Sequence, residues 1–352
     1  MTARSTNRFV PTVVALAYAL LVAMVLLALA GAPPIEALLR IVDGSLGSWD
    51  RVAATLLAWS PLVLASAGLV VTFAAGMWNI GVEGQIIMGA IAASWVAREV
   101  SADAAILVLA TIVAGAVGGA LWALLAGVLR THGGVNEIFG GLGLDFLAAG
   151  IAIYLVIGPW KRQGVASTSG TEIFPDASFM PTMELFGADI PIVAVTLAIL
   201  GTVGVYFLLR GTRFGLRLKA VGRSPRSAFI IGIPNNAYIL SAFLVGGALA
   251  GVAGTVQVTG FHHKLVPAIS GGYGFLGILV VLLAGFSAKW IGPIALFFIV
   301  VSAGSTQLEL RLDLDSSFGG VLLGVIVLFV VFGTAFSQQR AKRRADTAGA
   351  EP

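Results

Sequence analysis

The sequence predicts an all-α polytopic membrane protein of about ten transmembrane helices, with both termini cytoplasmic and one short cytoplasmic helix between the sixth and seventh spans. Two observations carry this. The 352-residue chain is 58% hydrophobic and only 11% charged, against about a quarter charged in soluble domains. Apolar runs also recur from residue 10 to 336, each near the ~20 residues that cross a bilayer as a helix. So much apolar surface cannot be hidden from water in one core, so the expected solvent is lipid.

Taken in order, the expected spans lie near 10–31, 55–75, 81–97, 104–129, 138–158, 191–210, 235–256, 271–287, 290–306 and 317–336. The first run ends in "ALAGA", as a cleaved signal would, but its apolar core exceeds the ~7–15 residues of a signal peptide, so an uncleaved helix is expected. With the N-terminus inside, fourteen of the 21 basic residues fall on the cytoplasmic side and seven outside, as the positive-inside rule requires. The expected organisation is a tail (1–9), one transmembrane domain (10–336) with an extracytoplasmic loop over 159–190 and a cytoplasmic loop over 210–234, and a basic tail (337–352). A re-entrant segment within 271–306 would lower the count to eight or nine.

Inside the spans, glycine is abundant, 45 residues in all. Gly247 and Gly251, four apart in "GGALAGVAG", place small residues on one helix face, where they allow close helix approach.

Composition also excludes chemistry. There is no cysteine, hence no disulfide and no thiolate metal site, and His132, His262 and His263 lack metal-ligand spacing. The net charge of +4 sits at membrane boundaries, which argues against nucleic acid as a partner. No Gly-x-x-x-x-Gly-Lys-Ser/Thr loop is present, nor any Gly-x-Ser-x-Gly elbow. The chain is therefore expected to be no enzyme and to hold no cofactor.

The loop 210–234 holds six bases and no acid. Ser224 reads as an N-cap and Pro225 as the first helical residue, while Gly232 and Pro234 end a helix of about two turns. Such a helix is too short to stand alone in water. It is either a topology anchor held by anionic membrane lipid or a surface gripped by a partner protein.

Intramembrane acids are costly and face a cavity or a partner. Three are candidates. Glu137 begins a helix, where a carboxylate complements the dipole. Asp145 lies about two turns deeper. Glu83 either starts a helix at the cytoplasmic edge or faces a cavity with Asn79 and Gln85, if the glycines beside it break a helix inside the bilayer.

Several blocks resemble one family. "GLRLKAVGRSPRSAFIIGI" is similar to the cytoplasmic-loop signature of importer permeases of the ATP-binding cassette class. "WNIGVEGQIIMGAIAA" (78–93) resembles the permease family for nucleosides and simple sugars, related to ribose and branched-chain amino-acid permeases. "GVNEIFGGLGLDFLA" (134–148) resembles its next block, typically "NEVISTLMLNYIA", but departs at Gly140–Gly143 and has Asp145 for an amide. "GGYGFLGILVVLLAG" (271–285) also fits, and the likeness spans roughly residues 55–336.

This resemblance implies a permease subunit of an ATP-driven importer in the cytoplasmic (inner) membrane. Nucleosides are the implied substrate, and a simple sugar such as a pentose is the alternative within the class. The implied partners are a cytoplasmic ATP-binding subunit that consumes ATP, a second permease subunit, homologous or identical, and an extracytoplasmic solute-binding protein. The implied ATPase-coupling residues are Arg217, Arg223, Ser224, Pro225, Arg226, Ser227, Ala228 and Gly232. Substrate-pathway candidates are Trp78, Asn79, Glu83, Gln85, Asp145, Phe146 and Phe275, since nucleosides need amide and carboxylate partners and aromatic stacking. A secondary transporter driven by an ion gradient shares the helix count and the buried acids, without needing the short basic-loop helix.

Overall fold

The computed structural model describes residues 33–162, 164 and 169–312, with scattered positions between 21 and 29 and between 320 and 328. The expected first and last spans and both tails lie largely or wholly outside the described residues. About three-quarters (76%) of the described residues are helical. Six helices are long and apolar enough to cross a membrane among the described residues.

In chain order the helices are α1 (Pro34–Leu46), α2 (Trp49–Ala74), α3 (Val82–Glu99), α4 (Ala104–Thr131), α5 (Glu137–Ile157), α6 (Ile192–Gly211), α7 (Arg213–Arg223), α8 (Pro225–Ile230), α9 (Asn235–Thr255), α10 (Tyr273–Leu283) and α11 (Ile291–Leu312). A two-stranded antiparallel hairpin, β1 (Met183–Leu185) and β2 (Ala188–Ile190), pairs Met183 with Ile190. It qualifies the all-α expectation only in the loop 159–190.

The described residues fall into two compact units, one within residues 56–296 and one formed by the described parts of 1–55 and 297–352. In the second, α1 buries Ala37, Ile41 and Ser45 on one face, and Gly304 of α11 lies directly on the Ile41 carbonyl. Neither α1 nor α7 was expected from the sequence.

The core of the larger unit is a three-helix stack of α3, α4 and α9. Glycines make it possible. Gly89 of α3 meets the Cα of Gly251, and Gly119 of α4 meets the Gly247 carbonyl. A methyl group at any of these points would collide with backbone, which cannot move aside as a side-chain tip can. Lipid supplies no hydrophobic drive, so such backbone contact is what van der Waals association requires. The Gly247/Gly251 expectation is realised on α4.

Helix α9 does not end at Thr255. It continues through a π-helical turn, Val256–Phe261. Thr171, Phe174 and Met180 donate their backbone N–H groups to the carbonyls of Leu265, His263 and Thr259. The 159–190 loop is thereby strapped over this end of the bundle. The opposite end carries α7, α8 and all six bases of the 210–234 segment.

The next crossing is discontinuous. Residues 264–272 return into the bundle without helix, burying Leu265 and Ile269, and Gln257 Nε2 donates to the Ile269 carbonyl at 3.3 Å. Helix α10 then runs on to the basic end. Its 11 residues span about 16 Å, roughly half the hydrocarbon thickness. The sequence suggested a helix over 271–287; the structure shortens it at both ends, because Gly271 and Gly272 adopt positive φ (58° and 77°) before it and Gly285 does so after it.

Candidate functional site: two helix starts held by carboxylates

The chain leaves α2 at Ala74 and reaches α3 only at Val82. Asn79 Nδ2 donates to Gln85 Oε1 at 3.0 Å, and Gln85 Nε2 donates to Asn79 Oδ1 at 2.8 Å. Both residues are buried. The two amides satisfy each other and tie the entry loop to the first turn of α3.

The first turn of any helix leaves backbone N–H groups without intrahelical acceptors. Here, buried starts take their acceptors from neighbouring helices. Gly84 donates its N–H to Asp145 Oδ1 of α5 at 2.7 Å. Glu83, 8% exposed, accepts from Gly272 at Oε1 (3.0 Å) and from Gly274 at Oε2 (2.7 Å). Asp145 thus holds the start of α3, and Glu83, on that start, holds the start of α10. Each carboxylate meets the positive end of a helix dipole.

Depth follows from the helices alongside. Asp145 lies about 12 Å into α5 from Glu137, and Trp122, which abuts Gly84, lies about 13 Å before the end of α4 at Thr131. The clamp is therefore well inside the bundle, and the two alternatives for Glu83 merge. It occupies a helix start, and that start is buried.

Of the glycines in the Gly140–Gly143 stretch, Gly141 has a steric reason. A Cβ on Gly141 would lie 2.6 Å from the Gly81 nitrogen, so only glycine admits the entry loop against α5. Two polar atoms at this junction are buried without a partner among the described residues, Asp145 Oδ2 and Trp122 Nε1. Sequence reading missed Trp122; its indole on an otherwise apolar helix was the available signal.

The aromatic candidates do not join the clamp. Phe146 is 78% exposed on α5 beside buried Asp145. Trp78 packs edge-on against Phe73 at 5.1 Å and is part exposed, as is Phe275. Glu137 pairs with Arg130 at 3.0 Å, and Asn136 caps α5 by accepting from Ile138 N–H.

At the basic end, Thr212 caps α7 and Ser224 caps α8, with Pro225 at its first position. Ser224 and Ser227 hydroxyls lie 2.9 Å apart. Ala228 is buried, while Phe229, Ile230 and Ile231 stand exposed at 73%, 82% and 71%. Arg217 reaches the Tyr238 hydroxyl at 3.3 Å, and Arg223 and Arg226 flank the cap. Gly232 ends the element with φ 81°. Gly222 of α7 lies against the Ala74 carbonyl and 2.8 Å from the Gly76 nitrogen, measured from its would-be Cβ. The α7–α8 element therefore touches the loop that leads into the clamp.

A family model described as "Branched-chain amino acid transport system / permease component" matches residues 51–331. The chain belongs to this family. This permease is a multi-pass transport component and not an enzyme. It is 31% identical over 297 residues to the glucose ABC transporter permease protein TsgB13 of Haloferax volcanii, covering 82% of this chain and 78% of that protein. It is 28% identical over 292 residues to the guanosine ABC transporter permease protein NupP of Bacillus subtilis (82% and 83%). It is 26% identical over 307 residues to the nucleoside ABC transporter permease protein NupB of Lactococcus lactis subsp. cremoris (85% and 84%).

Proposed function

We propose that this permease is the transmembrane subunit of an ATP-driven importer that carries nucleosides across the cytoplasmic (inner) membrane. The observation that carries the substrate is similarity over 82–85% of the chain to relatives named for guanosine and nucleoside transport. On this reading the chain crosses the membrane ten times within residues 10–336, both termini are cytoplasmic, and the basic end faces the cytoplasm.

The drive comes from a separate ATP-binding subunit, which uses the ATP. The exposed Phe229–Ile231 ridge on a capped two-turn helix is an apolar knob for that subunit's groove, with Arg217, Arg223 and Arg226 around it. Movement of α8 reaches the transmembrane core through the contact of Gly222 with Ala74 and Gly76. A second permease subunit completes the conduit, and an extracytoplasmic solute-binding protein delivers the cargo.

Within the core, Glu83, Asn79 and Gln85 position the starts of α3 and α10, since their polar atoms are spent on each other and on backbone. Asp145 Oδ2 and Trp122 Nε1 keep unused hydrogen-bonding capacity, and they are the groups suited to a nucleoside hydroxyl or ring nitrogen. Phe275 and Trp78, part exposed, are the aromatics left for stacking.

A second reading, a simple-sugar importer, is favoured by the relative named for glucose. Uptake of labelled guanosine, adenosine, ribose and glucose by cells expressing the complete transporter in a background lacking these activities tests the choice. The nucleoside reading expects guanosine or adenosine uptake that excess ribose and glucose leave unchanged. Sugar uptake without nucleoside uptake overturns it in favour of the second reading.

A further inference from the structure

The basic end of the larger unit holds a cavity of about 400 Å³ whose walls include Phe73, Tyr206, Arg210, Lys219, Phe286 and Lys289. Three cations from three elements converge there, Arg210 at the end of α6, Lys219 on α7 and Lys289 in the turn before α11. None forms an ion pair with a carboxylate among the described residues. Tyr206 contacts two of them, Arg210 and Lys289. Arg210 donates to its hydroxyl at 2.6 Å and its guanidinium lies 5.6 Å from the ring centroid. Lys289 Nζ lies 5.8 Å from the same centroid. Lys219 Nζ donates to the Leu209 carbonyl at 2.7 Å.

Like charges gathered around one ring repel unless an anion lies among them. Among the described residues each cation spends one donor at most on the protein and keeps others for a ligand. A phosphate fits this set by charge and by donor number.

The surroundings indicate where the phosphate comes from. Arg210 lies in the last turn of a 20-residue apolar helix, whose most apolar 18 residues have a mean hydropathy of 2.4 and are only 22% buried. Val203 and Phe207 on that helix are exposed, and Phe286 and Trp290 beside the cavity are half exposed. Aromatic and basic side chains at the end of an apolar, outward-facing helix mark a membrane–water boundary. Basic pockets between transmembrane helices bind lipid headgroups by the same physics.

We propose that this cavity binds the phosphate headgroup of an anionic phospholipid, whose acyl chains lie along the Val203–Phe207 face of α6. The bound lipid ties α7 to α6 and to the turn at Lys289. It thereby steadies the element that carries α8.

Native mass spectrometry of the full-length chain in detergent, with phosphatidylglycerol or phosphatidylcholine added, tests this. The wild-type chain is expected to retain phosphatidylglycerol preferentially. The combined substitutions Arg210→Gln, Lys219→Gln and Lys289→Gln should lower retention at least about tenfold, given roughly fivefold per basic group at an anionic surface. The control, Arg223→Gln with Arg226→Gln, removes charge outside the cavity and should retain the lipid. Lys289→Glu, on an exposed turn, carries the test if the triple variant does not fold, and should lower retention severalfold. Equal retention by wild-type and cavity variants overturns the proposal. So does an equal loss in the control, which would mark diffuse attraction. Displacement of the lipid by inorganic phosphate at equal concentration also overturns it, assigning the cavity to a soluble anion.

Discussion

Glu83→Ala removes the acceptor of two backbone N–H groups at the buried start of α10, those of Gly272 and Gly274. A hydrogen bond to a charged acceptor contributes roughly 1.5–3 kcal/mol, and an orphaned buried donor costs a comparable amount. Lost together, the two bonds amount to about 3–5 kcal/mol after discounting for relaxation of the flanking glycines. Glu83→Gln keeps one oxygen but turns an amide donor toward the second N–H, so it should cost about half as much. Gly274→Ala offers an independent approach to the same clamp, because its Cβ would meet the Glu83 carboxylate and lie 2.8 Å from the Glu83 nitrogen. Groups that act through one contact are not additive, so Glu83→Ala combined with Gly274→Ala should be little worse than the more damaging single variant. Thermal melting of the purified chain in detergent, with amide exchange across 272–276, reads all of these. The expected order of stability is wild type, Gln, Ala, with protection lost first at the start of α10. Melting of Glu83→Ala within a degree of wild type, with protection at 272–276 intact, would refute the clamp.

Three further outcomes follow from particular contacts. Asn79→Ala and Gln85→Ala each orphan a buried amide and should cost about 1–3 kcal/mol, while the double variant should cost less than their sum; additive melting shifts would break the pairing argument. Gly251→Leu drives a side chain into the Gly115 carbonyl in the α4–α9 contact and should abolish folded protein on size exclusion, whereas Gly204→Leu on α6, where nothing lies within 4 Å, should be tolerated. His263 stacks on Phe179 at 3.9 Å, and burial pulls its imidazole below the usual histidine value; burial and the charge of Lys264 act likewise on His262. A lowered folded-state value means the unfolded chain binds protons more readily, so this contribution to stability is present above about pH 6.5 and lost as pH falls below it. Amide protection at Thr171, Phe174 and Met180, corrected for intrinsic rates, should therefore fall between pH 7.5 and 5.5; a flat profile contradicts it.

The starts of α3 to α6 were legible to within a residue or so because apolar length and charged punctuation are local signals. The α8 cap was legible for the same reason, since Ser224, Pro225 and Gly232 each act on their own turn. What failed was facing and distance. The partners of Glu83 lie 189 and 191 residues away in sequence, so nothing near Glu83 could report its depth. Asp145 and Phe146 were both pathway candidates, yet adjacent helical residues point about 100° apart, and here Asp145 is buried while Phe146 is exposed. Helix α7 was hidden by its bases, although Phe214, Leu218 and Val221 already followed the i, i+4, i+7 pattern of one helical face. The break in 264–272 had a signal in Pro267 and Gly271–Gly272, but only packing against Gln257 shows that this irregular backbone is covered.

On the proposed reading, ATP turnover in a separate subunit acts on this chain through α8. Co-reconstitution of the complete transporter in proteoliposomes, with labelled guanosine delivered by the solute-binding protein, tests it most directly. Uptake should require ATP, persist when the proton gradient is collapsed, and fall at least tenfold in Phe229→Asp while the chain still assembles in the membrane. Uptake that continues without ATP and disappears with the gradient would contradict the account.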